Sequence, residues 1–367
     1  MSGPKVPLVD LRIQHERIAA EVQEGFDRVI GDTAFVLGPS VEEFERAYAD
    51  YCGVAHCRGV GNGTDAVEIA LRACGIGLGD EVIVPANTFV ATVGAVIRAG
   101  ASPVLVDCTD DFLMDPQRAA DAVTPRTAAV IPVHLYGQMA PAADIARAVG
   151  ADIPVIEDAA QSQGASQLGA RSGSVGVIAA TSFYPGKNLG AYGDAGAVTT
   201  NDEDLANRVS RLRNHGGTHR YEHLEPGFNS RMDGLQAVVL SSKLAHLDAW
   251  NEERRVAADY YRWLLAGHPD IGLPNEVGGN THVWHLYVVR VPRRDAILDH
   301  LKAAGIGAGI HYPRPIHRLP AFSELGEPGA FPTAERLSEE ILSLPIYPGI
   351  SPAQQEIVVE ALLEALG

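Results

Sequence analysis

Lys187 sits in "TSFYPGKNLGAYGDAGAV", residues 181–198, among glycines, small residues and aromatics. A lysine amine is normally protonated, but burial and nearby cations lower its pKa, and the neutral amine can then add to a carbonyl to form a Schiff base. Asp158, in "VIEDAAQS", ends a predicted buried strand. Open α/β sheets bind ligands at the carboxyl ends of their strands, and a buried carboxylate there needs a partner. It either caps a helix over residues 159–163 or faces a cation such as a protonated pyridine nitrogen. A third stretch, "GNGTDA", runs from a glycine-rich turn into a helix. Amide N–H groups at a helix start are unsatisfied and the helix dipole adds positive charge, so phosphate binds well there. Gly61 and Gly63 allow close approach and Thr64 adds a hydroxyl. A plain capped helix is the alternative reading, and the turn has neither the lysine of a P-loop nor a complete GxGxxG. Ser182, beside the lysine turn, offers another phosphate hydroxyl. A phosphate cradle, an acid for a ring nitrogen and a strand-end lysine are the fixtures that hold pyridoxal phosphate (PLP), whose ring is an electron sink.

Positioning these groups takes a sheet. Helices are predicted over 12–30 and 41–51, the second opened by Ser40 and Glu43 as a capping box. A helix over 64–73 precedes a strand at 81–84. Further apolar strands read at 103–107, 128–134, 154–159, 176–183 and 195–200, with helices between several of them, such as 91–98 and 141–149. Strands alternating with helices predict an α/β fold with a mostly parallel sheet covered on both faces. One long helical region runs from 233 to 265 and links this part to a small α+β part, with strands in "HVWHLYVVRV" and helices at 295–304, 333–342 and 352–366. We therefore expect a large domain over residues 1–250 and a small C-terminal domain over 251–367. The aperiodic polar segment 216–231 reads as a long functional loop.

The 367 residues carry 29 basic and 46 acidic side chains, a net charge of −17. Such a surface repels phosphate backbones and argues against nucleic-acid binding, while leaving room for a local basic pocket. Cys52, Cys57, Cys74 and Cys108 form no CxxC pair and read as thiols in a reducing compartment, with no metal site expected. There is no signal-peptide pattern and no apolar run of about 18 residues, so no membrane partner and a cytoplasmic location are expected.

Five motifs, "GNGTDA", "ANTFVAT", "EDAAQSQGA", "SFYPGKNLG…GDAGAV" and "GFNSRMDGLQAVVL", stand in an order and spacing that resembles the DegT/DnrJ/EryC1/StrS family of sugar aminotransferases. The resemblance runs from about Val6 to the C-terminus and implies the fold-type I, aspartate aminotransferase-like architecture of PLP enzymes. It implies that Lys187 forms the internal aldimine and moves the proton between substrate and cofactor. Asp158 would pair with the pyridinium nitrogen, and Gly63, Thr64 and Ser182 would hold the phosphate. Phe89 would stack on the ring and Gln161 would approach its 3-hydroxyl. Without the family, Phe89 has a core position as its alternative reading, and Gln161 reads equally as a surface amide. Asn229 lies in the loop that in this family crosses to the neighbouring subunit's phosphate, implying a homodimer with shared active sites. Arg231 is either a structural salt bridge or part of the active-site rim. Family members that act as dehydratases replace the lysine with histidine, and Lys187 disfavours that branch.

"FYPGKNLG" and "GIHYPRPIH" resemble the subgroup that acts on 3-keto sugars. Tyr184, His311 and Tyr312 would then face the hexose, where tyrosine and histidine donate and accept without adding fixed charge. Packing at the domain interface is their alternative role, and His317 is either nearby or structural. The resemblance implies a dTDP-3-keto-6-deoxyhexose as substrate, L-glutamate as amino donor and a dTDP-3-amino-3,6-dideoxyhexose as product, as a precursor of an antibiotic sugar or surface glycan. Glutamate would leave 2-oxoglutarate and pyridoxamine phosphate before the keto sugar binds, a ping-pong cycle. A 4-keto nucleotide sugar or a cyclitol ketone as substrate is the first alternative. A PLP-binding regulator without turnover is the second, though no basic stretch or helix-turn-helix segment supports it.

Overall fold

The computed structural model describes residues 5–219 and 221–367. Helix α1 (Leu11–Gly31) is capped by Asp10, whose carboxylate accepts from Arg12 N. Helix α2 (Pro39–Cys52) begins differently from the expectation at Ser40. Gly38 is the N-cap, no side chain caps the helix, and Ser40 lies inside it. Pro39 explains the shift, since its fixed φ and missing N–H suit the first helical position. Helix α3 (Gly63–Ala73) starts at Asn62, whose side-chain oxygen accepts from Asp65 N at 2.9 Å. Helix α4 (Val90–Ala99) follows.

Seven strands build the main sheet: β1 (His56–Val60), β2 (Glu81–Pro85), β3 (Ser102–Val106), β4 (Thr127–Val130), β5 (Ile156–Asp158), β6 (Ile178–Ser182) and β7 (Gly196–Thr200). Strands β3-β2-β4 form one ladder and β5-β6-β7-β1 another. Parallel bridges Val130 to Val155 and Val133 to Asp158 join them, giving the order β3-β2-β4-β5-β6-β7-β1. Only β7 runs antiparallel to its neighbours. β4 is shorter than the predicted 128–134 because Pro132 has no N–H for a ladder. Apolar residues of α3, α4 and one sheet face fill the main core, including Ile69, Leu71, Val82, Val84, Val93 and Ile178, while Ile83 and Val130 on the other face join a separate cluster.

The region 233–265 is two helices, α5 (Gly234–Leu244) and α6 (Leu247–Leu265), broken at Ala245–His246. No proline or glycine marks that break. Residues 341–342, predicted as helix, instead start strand β9 (Ile341–Leu344), paired antiparallel with β8 (Tyr287–Arg290). The apolar run "ILSL" suits a buried strand better than a helix end. These strands, α6 and helix α7 (Pro352–Leu366) enclose a second apolar cluster that also contains Val6. Segment 216–231 holds a short strand pairing between Gly217–His219 and Glu222–His223. All four cysteines are free thiols. Among the described residues no helix is long and apolar enough to cross a membrane.

Candidate active site

The lysine turn is fastened on both sides. β6 ends at Ser182, and the chain reverses so that Lys187 N donates to Tyr184 O and Ala191 N donates to Phe183 O, both at 2.8 Å. Gly190 has to be glycine, since a Cβ there would lie 2.3 Å from Pro185 O. Lys243, buried on α5, donates from Nζ to Gly190 O at 2.6 Å. On the other side Asn188 Nδ2 donates to Asn251 Oδ1 and to Val283 O, each at 2.8 Å. Burial lowers the Lys187 amine from 10.5 to about 8, against the opposing pull of the Asp158 carboxylate. Roughly a tenth of the amine is therefore neutral at pH 7, far more than for an ordinary lysine, and the neutral form is the one that Schiff-base chemistry uses.

Asp158 ends β5 on the same sheet edge as Ser182, because β5 and β6 are parallel neighbours. Of the two readings of Asp158, the helix over 159–163 is not formed, and Asp158 Oδ1 accepts from Ala160 N at 3.2 Å in a turn. Oδ2 accepts from Thr92 Oγ1 at 2.7 Å, and Thr88 meets Thr92 at 2.8 Å. Asp158 is only 6% exposed, yet among the described residues no cationic side chain pairs with it within 4 Å. A buried carboxylate with two donors and no cation is matched to a ligand N–H bearing positive charge. The preceding Glu157 anchors this strand end. It accepts from His134 Nε2 at 2.8 Å and from the amides of Gly173, Val175 and Gly176.

Gln161 is buried: Oε1 accepts from Tyr136 N at 2.6 Å and Nε2 donates to Tyr312 Oη at 3.1 Å. Phe89 is half-exposed at the start of α4, its ring 5.0 Å from that of Tyr312. Neither a core position for Phe89 nor a surface position for Gln161 is observed.

The glycine-rich turn meets the lysine strand directly. A Cβ on Gly63 would lie 2.5 Å from Ser182 Cβ, and one on Gly196 would lie 2.5 Å from Asn62 O. The first turn of α3 is thus pressed against the end of β6, which sets the free amides of Gly63 and Thr64 beside the Ser182 hydroxyl. Asp65, the one acidic residue in that turn, is occupied by Arg98 at 3.1 Å and by Ser230 Oγ at 2.7 Å. Ser230 Oγ also accepts from Gly61 N at 3.0 Å.

Neighbouring Asn229 is exposed and bridges Asn214 through the main chain. Arg231 donates to Asn214 Oδ1 at 3.1 Å, its Nε is buried without a partner, and it forms no salt bridge among the described residues. Tyr184, in the same turn as Lys187, is exposed. His311 Nδ1 meets Ser343 Oγ at 2.8 Å, and burial, with the charge of Lys187, lowers its pKa to about 4. Burial and then the Asp158 charge push the Tyr312 hydroxyl well above its usual range. His317 is buried against Glu335 at 3.0 Å, away from this group. Lys187, Asp158, Gln161, Phe89, His311 and Tyr312 therefore surround one cleft, with Gly63, Thr64 and Ser182 at its edge. Sequence reasoning did not single out Thr92, Asn188, Lys243 or Ser230, although Thr92, Asn188 and Ser230 lie inside motifs already quoted.

The residues present fit PLP: a phosphate-sized set of free amides and a hydroxyl, a buried carboxylate with no cationic partner, an aromatic face and a lysine whose pKa is lowered. The sheet order and this cleft define a fold-type I PLP-dependent aminotransferase. The chain belongs to the DegT/DnrJ/EryC1/StrS aminotransferase family, whose model matches residues 16–363. It is 45% identical to the dTDP-3-amino-3,4,6-trideoxy-alpha-D-glucose transaminase of Streptomyces venezuelae, over 98% of this chain and 96% of that one. It is 46% identical to the dTDP-3-amino-3,6-dideoxy-alpha-D-galactopyranose transaminase of Aneurinibacillus thermoaerophilus, over 97% and 98%. The crystal structure of S. venezuelae DesV in complex with a ketimine intermediate superposes with a TM-score of 0.96 at 45% identity, covering 98% of each chain.

Proposed function

We propose that this chain transfers an amino group from L-glutamate to C3 of a dTDP-3-keto-6-deoxyhexose, giving the dTDP-3-amino-3,6-dideoxyhexose. One observation carries the substrate reading: two relatives matched almost end to end, at 45 and 46% identity, are both named for 3-amino sugars. When bound, PLP supplies the electron sink for the exchange. Lys187 holds it and moves the proton at the reacting carbon, and the lowered pKa of its amine supports this role. Asp158 keeps the ring nitrogen protonated, and Thr92 orients that carboxylate. Gly63, Thr64 and Ser182 hold the phosphate, Phe89 covers one ring face and Gln161 approaches the 3-hydroxyl. Tyr184, His311 and Tyr312 face the sugar, with His311 neutral at working pH. Arg231 lies on the rim. Asn229 reaches the phosphate of a partner subunit, which makes the working unit a homodimer, and we place the enzyme in the cytoplasm.

The test is a regiochemical one. Purified protein loaded with PLP is incubated with L-glutamate and either a 3-keto or a 4-keto dTDP-6-deoxyhexose, and NMR locates the nitrogen in the product. Amination at C3 is expected. Turnover of the 4-keto sugar alone would replace this reading with the C4 alternative.

A further inference from the structure

Every polar group of Tyr136 is in use around the cleft. The residue is buried and carries φ +61, a left-handed backbone that a bulky aromatic side chain rarely adopts. Its N–H donates to Gln161 Oε1 at 2.6 Å, its carbonyl accepts from Leu286 N at 3.2 Å, and its hydroxyl donates to the His311 carbonyl. The next residue allows no slack, since a Cβ on Gly137 would lie 2.8 Å from His285 N and 2.9 Å from Trp284 N. A main-chain N–H can only donate, so it fixes the Gln161 amide with Oε1 toward Tyr136 and Nε2 toward Tyr312. An amide nitrogen also only donates, so the Tyr312 oxygen accepts this bond, 3.1 Å long, and the Tyr312 hydrogen points elsewhere. Among the described residues no acceptor takes that hydrogen. Burial, and then the Asp158 charge, keep the Tyr312 hydroxyl protonated. Tyr136 thus holds two consecutive residues of one segment, His311 by its carbonyl and Tyr312 by way of Gln161.

We propose that Tyr136 is a positioning residue for the keto-sugar half of the reaction: its hydroxyl anchors the His311 carbonyl, its N–H sets Gln161 as donor to Tyr312, and Tyr312 is left to donate its hydrogen to an oxygen of the sugar. One Gln161 hydrogen is used on Tyr312, and the other stays available for the cofactor side. The strained backbone of Tyr136 is what lets one residue reach both Gln161 and His311. The inference rests on the reading that His311 and Tyr312 face the sugar.

The test separates the two half-reactions. Y136F fills the same space, keeps the N–H that sets Gln161 and removes only the hydroxyl. Absorbance titration should then give a PLP affinity within about 2-fold of wild type, and the single-turnover reaction with L-glutamate should keep its rate, because no lost bond faces that step. In the other half-reaction, started from protein loaded with pyridoxamine phosphate, half-saturation by the dTDP-3-keto-6-deoxyhexose should rise roughly 3- to 10-fold, the worth of one neutral hydrogen bond. Y312F should raise it by a similar factor, and Y136F/Y312F should fall short of the product of the two, since both act on one contact. Equal slowing of both half-reactions in Y136F, weaker PLP binding, or fully multiplicative losses in the double variant would reduce Tyr136 to packing and overturn the proposal. Y312F tests the underlying reading separately. Sugar half-saturation unmoved by Y312F would remove the reading that this segment faces the sugar, whereas a loss in Y312F with none in Y136F would keep that reading and sink the role of Tyr136.

Discussion

Replacing Gly63 with alanine puts a methyl group where the fold leaves no room. Its carbon would lie 2.5 Å from Ser182 Cβ, 2.9 Å from Oγ and 3.1 Å from Cα. Optimal carbon contacts are about 3.5–4.0 Å, so α3 and the end of β6 must part by roughly 1 Å. Rotation about χ1 could move only Oγ; the nearest atom, Cβ, and Cα are fixed to the strand. The helix start itself would favour alanine, so the expected loss is one of packing rather than backbone conformation. Overpacking of this kind costs about 1–3 kcal/mol. If that energy is drawn from the phosphate cradle, PLP affinity falls roughly 5- to 150-fold. Absorbance titration of cofactor-stripped G63A with PLP measures it, alongside wild type, S182G and the double variant. In the S182G background the opposing Cβ and hydroxyl are gone, so G63A should then cost little, and the cycle should show strong coupling. Wild-type PLP affinity in G63A, or additive losses in the cycle, would refute the claim that these two elements form one cradle.

Asp158→Asn removes the charge that would pair with a ring N–H and is expected to reduce turnover by about 10- to 150-fold, the range for one charge-assisted hydrogen bond, in steady-state assays. Lys243 has its pKa lowered by burial from 10.5 to about 8. Between those values the unfolded chain still holds a proton that the folded chain has released, so stability rises with pH across that window, and below it the cost is present in full. The fall corresponds to about 3 kcal/mol, so urea unfolding of K187A against K187A/K243M should show that much extra stability gained from pH 8 to 10.5 only where Lys243 is present. Asn229 is assigned to the partner's site, so mixing inactive K187A and N229A chains should restore about a quarter of wild-type activity, through the one intact site in each mixed dimer. No restoration after subunit exchange would place Asn229 in its own chain's site.

Much of this site was legible because its chemistry is local in sequence. Lys187, Asp158 and the turn at Gly61–Thr64 sit at strand and helix ends, and alternating strands and helices bring such ends to one edge of a sheet. The fastening of the site was not legible in this way. Lys243 reaches Gly190 across 53 positions, and Asn188 reaches Val283 across 95. No periodicity reports contacts of that range. The helix break at Ala245–His246 was missed because neither residue is a helix breaker. The cap of α2 was misplaced because Ser40 and Glu43 match a capping box, while the helix starts at Pro39, two residues earlier than predicted. His317 and His311 stand in one motif and look alike there. Only folding separates them, with His317 held by Glu335 and His311 close enough to feel the Lys187 charge.

The central claim is that Lys187 carries amine exchange in this cleft. Absorbance spectra of the PLP-loaded protein, recorded before and after L-glutamate alone, test it most directly. Wild type should lose the absorbance of lysine-bound PLP and yield pyridoxamine phosphate with an equal amount of 2-oxoglutarate, while K187A binds PLP and yields neither. A wild-type spectrum unmoved by any amino donor, or a K187A variant that forms 2-oxoglutarate at the wild-type rate, would contradict it.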